Sequence, residues 1–341
     1  MNEIPAALGL APDQVEDLLL TAGRAPSLHN SQPWRFRVTP QAIELHADRD
    51  RALPVIDPAG REQRIACGAA LFNLRLALHG RDIRPTVTIL PDPARPDLVA
   101  TIRNGGHKVA TPEQREQLRA VPRRRTNRHP FTDAQLIPAE LNALRRAALD
   151  EGAWLHIVDR REQRDELQDL AARAHRLQMD DPAFRAELDR WTATAPGRTD
   201  GVPAAAGGPL PAPQRRWVVR EFHRGSGSER ATADFEEEPV IAVLTAHLTG
   251  DRADVQVGQA LERVLLTATV EGLAVSFLSQ VVEVPRTREE LRRLVGGSRP
   301  PQAVLRIGRG WPVTATPRRP VADLVRPEPR PAPTDRRVGA R

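Results

Sequence analysis

One pattern occurs twice along this chain in the same order, and it limits the folds open to it. Gly68-Ala69-Ala70-Leu71 lies in an apolar helical stretch that ends near Gly80 and gives way to a strand. Gly258-Gln259-Ala260-Leu261 lies in a second such stretch, which ends near Gly272 and again gives way to a strand. Further on, Leu98-Val99-Ala100-Thr101-Ile102-Arg103 is echoed by Val304-Leu305-Arg306-Ile307. Two matches in one order point to two related halves that pack like a dimer within one chain. The length agrees, since 341 residues at roughly 150 per domain make about two domains or one double-sized fold.

Hydrophobic periodicity fills in a mixed α+β chain. Pro12 opens a helix in which Val15, Leu18, Leu19 and Ala22 share a face, and Gly23 stops it. Phe36-Arg37-Val38 and Ile43, Leu45, Ala47 alternate like paired strands. Ile65 to Leu78 reads as a buried helix, and Thr86 to Leu90 as a strand. Helices are expected from Pro138 to about Leu149, from about Glu162 to Trp191 and from Val257 to Val270. Strands are expected at 154–158, 240–244, 273–278 and 303–307. Residues 194–216, rich in Pro, Gly and Ala, have no hydrophobic period and are either unstructured or a lid over a site. The Pro- and Arg-rich tail, 326–341, is expected to be disordered.

Composition excludes several classes. With 40% hydrophobic residues the chain can bury a core. No apolar run reaches the roughly 20 residues of a membrane span, and the N-terminus has no signal-peptide pattern. The single cysteine, Cys67, removes disulfides and multi-cysteine metal sites, and a reducing cytoplasm fits. The +6 charge is almost all arginine, interspersed with acids rather than gathered in a stripe, so nucleic acid is not the expected partner. Paired-histidine, GxSxG, Walker A and strand-following GxGxxG patterns are missing, which argues against a metal hydrolase, a serine hydrolase and a nucleotide triphosphatase.

Four segments could carry chemistry. Ala25-Pro26-Ser27-Leu28-His29-Asn30-Ser31-Gln32-Pro33-Trp34 links a helix to a strand, where scaffolded loops place functional groups. Its hydroxyls and amides suit a ribityl chain or a heteroaromatic edge, or it is a tight turn anchored by Trp34. Arg123 to Phe131 clusters forked cations that match phosphate, with Thr126 adding a hydroxyl, or it is a solvated basic turn. Gly272 to Gln280 could offer backbone N–H groups or be a buried strand. Arg318 and Arg319, held among prolines after the last strand, could reach a phosphate or face water.

Together these segments resemble the nitroreductase family of FMN-dependent oxidoreductases. APSLHNSQPWRF at 25–36 and RRTNRHPF at 124–131 carry the resemblance, with GLAVSFLSQ at 272–280 and LRIGRG at 305–310 adding to it. The loop precedes the arginine motif in a chain nearly twice the ordinary subunit length, an arrangement similar to the fused, Acg-like branch. The resemblance covers about residues 12–325. It implies a nitroreductase-like fold with two related halves, 1–110 carrying the loop and 111–325 carrying the arginine motif and the insert, forming an intrachain pseudo-dimer. It also implies FMN held between them, by Arg124, Arg125, Thr126 and Arg128 on one side. Pro26, Ser27, Leu28, His29, Asn30 and Gln32 would face it from the other, although Leu28 and His29 stand where the family often has a second serine. Leu278, Ser279 and Gln280 would lie against flavin N5, with Arg318 or Arg319 near the phosphate.

The implied activity is NAD(P)H oxidation with electrons passed to a nitroaromatic, quinone or similar small acceptor. Since hydride enters and leaves at N5, no side chain is singled out as catalytic. The alternative is an FMN-sequestering protein whose insert covers the ring. One FMN site per chain is expected, in a monomer or a homodimer, with no metal.

Overall fold

The computed structural model describes residues 4–192, 197–211, 220, 222, 232–236 and 238–326. The tail from 327 onward, and 194–196 and 212–216 of the insert, lie outside the described residues. Among the described residues, no helix is long and apolar enough to cross a membrane.

The described residues form two four-stranded antiparallel sheets. The first follows helix α1 (Pro12–Ala22) and holds β1 (Trp34–Thr39), β2 (Ala42–Ala47), β3 (Ile83–Ile89) and β4 (Leu98–His107) in the order β1-β2-β4-β3. Helix α2 (Arg61–His79) joins β2 to β3. After α3 (Pro112–Ala120) and α4 (Pro138–Asp150) comes β5 (Ala153–Val158), then α5 (Arg161–Asp180) and α6 (Pro182–Thr192). A short parallel pair, β6 (Leu210–Pro211) with β7 (Thr232–Ala233), stands apart. The second sheet is completed by β8 (Val240–Ala246), β9 (Ala274–Phe277) and β10 (Pro301–Gly308), in the order β5-β8-β10-β9. Helix α7 (Asp251–Val270) joins β8 to β9 just as α2 joins β2 to β3, and α8 (Gln280–Glu283) and α9 (Pro285–Leu294) follow. With the β6–β7 pair set aside, both sheets have the same order and the same helix placement.

The two sheets differ in how they are covered. β1 alternates buried and half-buried residues, as a sheet with one packed face requires. β10 is buried at every position, because α4 and α7 cover one face of its sheet while α5, α8 and α9 cover the other. The sequence carries this contrast as WRFRVT against PQAVLRIG.

Helices α2 and α7 cross backbone to backbone. A Cβ at Gly68 would lie 2.1 Å from the carbonyl oxygen of Val255, and a Cβ at Gly258 would lie 2.0 Å from that of Ile65. The contact is reciprocal, each glycine meeting the carbonyl three residues before the other, as at a two-fold interface. Only glycine permits so close an approach.

Three features differ from the expected layout. Helix α3 is additional, opened by a capping box in which Thr111 and Gln114 exchange hydrogen bonds. The charged stretch 162–191 is two helices, because Pro182 cannot continue the first and opens the second. After β10 the chain runs back to the first sheet, so part of the span assigned to the second half packs on the first. There α10 (Val321–Leu324) and Val325 join the core of Val15, Trp34 and Phe36, and Arg326 N donates to Phe36 O at 2.7 Å.

Candidate functional site

The 25–34 loop has an unusual backbone. His29, Asn30 and Gln32 have φ of +52°, +56° and +50° without a glycine among them. Asn adopts this conformation readily, whereas for His and Gln it costs of order 1 kcal/mol each. Three neighbours fix it. Ser27 Oγ accepts from Gln32 N at 2.9 Å. From the insert, Gly201 O accepts from Asn30 Nδ2 at 3.0 Å and Thr199 O from Gln32 Nε2 at 2.9 Å. From the C-terminal strap, Arg318 Nη1 donates to Asn30 Oδ1 at 2.9 Å and Arg319 N to Gln32 Oε1 at 2.9 Å.

The arginine segment is placed by the second sheet. Thr126 bridges to Val275 on β9, and Asn127 N donates to Val275 O at 2.8 Å. Arg124 and Arg318 are drawn side by side by one acceptor, the carbonyl of Arg24, which receives Arg124 Nη2 at 3.3 Å and Arg318 Nη2 at 3.2 Å.

Loop and arginine segment face each other across a cavity of about 1260 Å³, its open mouth included. Pro26 to Asn30 form one wall; Arg124, Arg125, Thr126 and Arg128 form another. The floor comes from Ile65, Ala66 and Ala69 of α2 and Leu261 of α7. Ser279 and Gln280 close the far side, and the strap adds Thr316 and Arg318.

Three of the expected residues lie elsewhere. Gln32 and Arg319 bind each other behind the loop, where Arg319 also donates to the carbonyls of Gln32 and Trp34, both at 3.1 Å. Leu278 packs into the core beneath α5 and α9. Conversely, Arg24, Glu62, Arg220 and Phe222 line the cavity without having been marked by the sequence. Phe222 lies edge-on to His29 and under the Arg128 guanidinium, 4.5 Å from its ring centre.

Burial sets the electrostatics. It pushes Arg318 down to about 9, helped by the charges of Arg124 and Arg125, and Arg128 down to about 10, helped by Arg220 and Arg124. His29 is held well below its ordinary value by burial and then by Arg220 and Arg128, so its imidazole is neutral at pH 7. Glu62 is pushed up to about 7 by burial, against the pull of Arg61. The cavity is thus strongly cationic on the arginine side, with a neutral imidazole opposite.

No family profile matches the chain. Full-length relatives do. The provisionally named NAD(P)H nitroreductase Rv3131 of Mycobacterium tuberculosis is 32% identical over 339 residues, covering 94% of each chain. The Acg protein of the same organism, with the same provisional name, is 29% identical over 316 residues, covering 92% of this chain and 95% of its own. This chain belongs to the nitroreductase family. A provisionally assigned nitroreductase from Anabaena variabilis, solved as a crystal structure, shares the fold at a TM-score of 0.52 and 12% identity, covering 88% of each chain.

Within this nitroreductase-family chain the two motif segments come from either side of corresponding helices. The loop lies between α1 and β1, while the arginine segment precedes α4. The cavity lies where they meet, over the α2–α7 crossing.

Proposed function

We propose that this chain binds one FMN in the cavity and works as an NAD(P)H oxidoreductase that passes electrons to a small-molecule acceptor such as a nitroaromatic or a quinone. The observation that carries this reading is the convergence of loop and arginine segment on one cavity from separate parts of the chain. The name borne by Rv3131 and Acg supports the same activity. The residues fit the cofactor: Arg318 Nε and His29 Nδ1 are buried polar atoms of cavity-lining residues without a hydrogen-bond partner among the described residues.

Arg124, Arg125 and Arg318, with Thr126, would hold the phosphate, since guanidinium forks match its oxygens and burial strengthens each contact. Pro26, Ser27, Leu28, His29 and Asn30 would flank the ring opposite Arg128, while Ala66 and Ala69 leave a flat space beneath it. Ser279 and Gln280 would bring backbone to the edge that accepts hydride. When bound, the flavin supplies hydride chemistry at N5, taking two electrons from NAD(P)H and giving them to the acceptor. Gln32 and Arg319 keep the loop rigid from behind rather than touching the cofactor, and Leu278 contributes from within the core.

We read residues 1–110 and 111–325 as related halves of an intrachain pseudo-dimer, on the strength of their common strand order and reciprocal helix crossing. A cytoplasmic location accords with the single buried thiol. Anaerobic titration of the protein with NADPH and NADH, followed by the visible flavin spectrum, tests the whole reading. Bleaching within seconds is expected, and absence of a flavin band after incubation with FMN would overturn it.

A second reading, flavin sequestration with little turnover, is favoured by one observation. Arg220 and Phe222, which follow the insert, line the cavity, and Arg220 is anchored to Glu283 and Gln178. A flavin band that resists NAD(P)H but yields to dithionite would make this reading the better one.

A further inference from the structure

Behind the arginine segment lies a carboxylate for which flavin binding as described has no use. Glu262 sits mid-way along α7 with 0% of its surface exposed, among Leu261, Leu265 and Leu266. Among the described residues, no group lies within strict hydrogen-bond geometry of either of its oxygens. Its neighbour is Arg124, whose Nε lies 3.7 Å from Glu262 Oε1 and is also without a hydrogen bond. Asn73 of α2, fully buried, stands beside it and its amide favours the ionised carboxylate, and Arg318 of the strap contributes the next charge. Burying a carboxylate this way opposes its ionisation, and a leucine would pack in its place at no such cost.

We propose that Glu262 is a positioning residue for the phosphate end of the cavity: it holds Arg124 by its Nε edge so that the terminal nitrogens face the cavity, and it takes up a proton when a phosphate monoester binds there. This rests on the flavin reading above and adds a proton to it.

The geometry gives both parts. Arg124 carries five N–H donors in a fixed plane, so a carboxylate paired with its Nε side at 3.7 Å determines where the remaining donors point. Its Nη2 is steadied by Arg24 O, which leaves the rest of the fork for a ligand. A phosphate on that fork competes with Glu262 for the same cation, and its charge makes an ionised Glu262 less favourable. The carboxylate then accepts one proton from solvent, while the guanidiniums keep theirs.

The groups facing Glu262 are Asn73 from α2, Arg124 from the arginine segment and Arg318 from the strap. Asn73 does not titrate. Burial pushes Glu262 up to about 7 even before a ligand adds its charge, and Arg318 down to about 9, so the two fall in separable pH ranges. Riboflavin has the same ring without the phosphate and should show neither effect.

The test uses full-length apoprotein, with FMN and riboflavin affinities measured by flavin fluorescence between pH 6 and 8.5. For the wild type, the FMN Kd should rise with pH above about 7, approaching tenfold per unit for one coupled proton. The riboflavin Kd should stay flat. Glu262→Gln keeps an acceptor for Arg124 but cannot titrate, so its FMN Kd should match wild type at pH 6 and lose the slope. Glu262→Leu should weaken FMN at every pH and leave riboflavin unchanged. Calorimetry of the wild type alone, in buffers of different ionisation enthalpy, should show close to one proton taken up with FMN at pH 8, whether or not the variants fold. A slope retained in Glu262→Gln, a slope shared by riboflavin, or FMN binding without proton uptake would overturn the inference and leave the flavin reading intact. Failure of wild type to bind either flavin would overturn both.

Discussion

The two sides of the α2–α7 crossing are built in the same register, yet one lines a cavity and the other is covered by long side chains bonded to their neighbours. On the open side, α2 presents Glu62, Ala66 and Ala69. The residues that match them on α7, counted from the Gly68–Gly258 contact, are Arg252, Gln256 and Gln259. Each of these is engaged with a neighbour. Arg252 Nη1 donates to Ile89 O at 3.2 Å, Gln256 Nε2 to Glu151 O at 3.2 Å, and Gln259 Oε1 accepts from Arg75 Nη1 at 2.8 Å. Two alanines on one side correspond to two committed glutamines on the other.

The connections differ in the same sense. Between α1 and β1 the chain runs through residues 23–33, whereas α4 and β5 are joined by 151–152 alone. Where the first half has its strained loop, the second has Glu151, which pairs with Arg75 at 2.7 Å and Arg263 at 3.2 Å. On the pseudo-dimer reading proposed above, the repeated strand order would provide two places for a ligand. Small helix residues and a long loop make one of them usable, while long polar side chains and ion pairs fill the other.

The largest effect should come from the cations of the open side. Arg124→Ala with Arg318→Ala should weaken FMN binding by about 10²- to 10⁴-fold, at about 1.5–3 kcal/mol for each charge-assisted contact. Arg75→Ala with Arg263→Ala, on the closed side, should leave the flavin Kd where it was. Equilibrium dialysis of both double variants decides it. A double variant of the open side that stays fully yellow would put the phosphate end elsewhere.

Next comes the crossing itself. Gly258→Val would drive a branched side chain into the Ile65 carbonyl, a backbone atom that cannot step aside. A loss of about 3 kcal/mol is expected, the upper end of what overpacking costs. Urea unfolding would show it, and a midpoint equal to wild type would mean that the helices can part without harm. A smaller change should close the open side on purpose. Ala66→Gln with Ala69→Gln copies the closed side and should weaken FMN by about 10- to 100-fold, equivalent to roughly 1–3 kcal/mol of steric conflict, while the protein stays folded. Unaltered flavin binding in this variant would show that the floor of the cavity does not bear on the ring.

What could be read from sequence follows the regular elements. The repeat glycines and the faces of α1, α2 and α7 were visible because burial imposes a period on them. Pro182 and the Thr111–Gln114 box were also present as signals, each of them local and easily passed over in a charged stretch. The site was legible in its two motif segments but not in its outline. Arg318 and Arg319 are adjacent in an irregular strap, so no period tells which faces the cavity. Only the fold turns Arg318 inward and sends Arg319 behind the loop to Gln32 and Trp34. The left-handed run at His29, Asn30 and Gln32 contains no glycine to announce it. Arg220 and Phe222 follow the insert, and the place of Arg220 on the cavity wall depends on anchors distant in sequence.

The smallest expected effect separates the two sides by their response to pH. On the open side Glu62 is pushed up to about 7 by burial, from an ordinary 4.5. Because its folded value lies above its unfolded one, the native state binds more protons between these values, and stability falls as pH rises through that window. The contribution is fully present below about 4.5 and is lost by the time pH passes about 7. Glu62→Gln removes the titration, so the stability difference between wild type and variant should shift by about 1 kcal/mol between about pH 6 and 7.5, to the disadvantage of wild type. Arg263→Ala on the closed side breaks pairs with Glu113, Asp150 and Glu151, of which the first two are exposed. Its cost should be about 1 kcal/mol or less and should shrink in high salt. Urea unfolding at several pH values and two salt concentrations tells these apart. If Glu62→Gln tracks wild type at every pH, then water reaches the open side freely enough to solvate its acids, and the contrast between an enclosed cavity and a filled one would have to be redrawn.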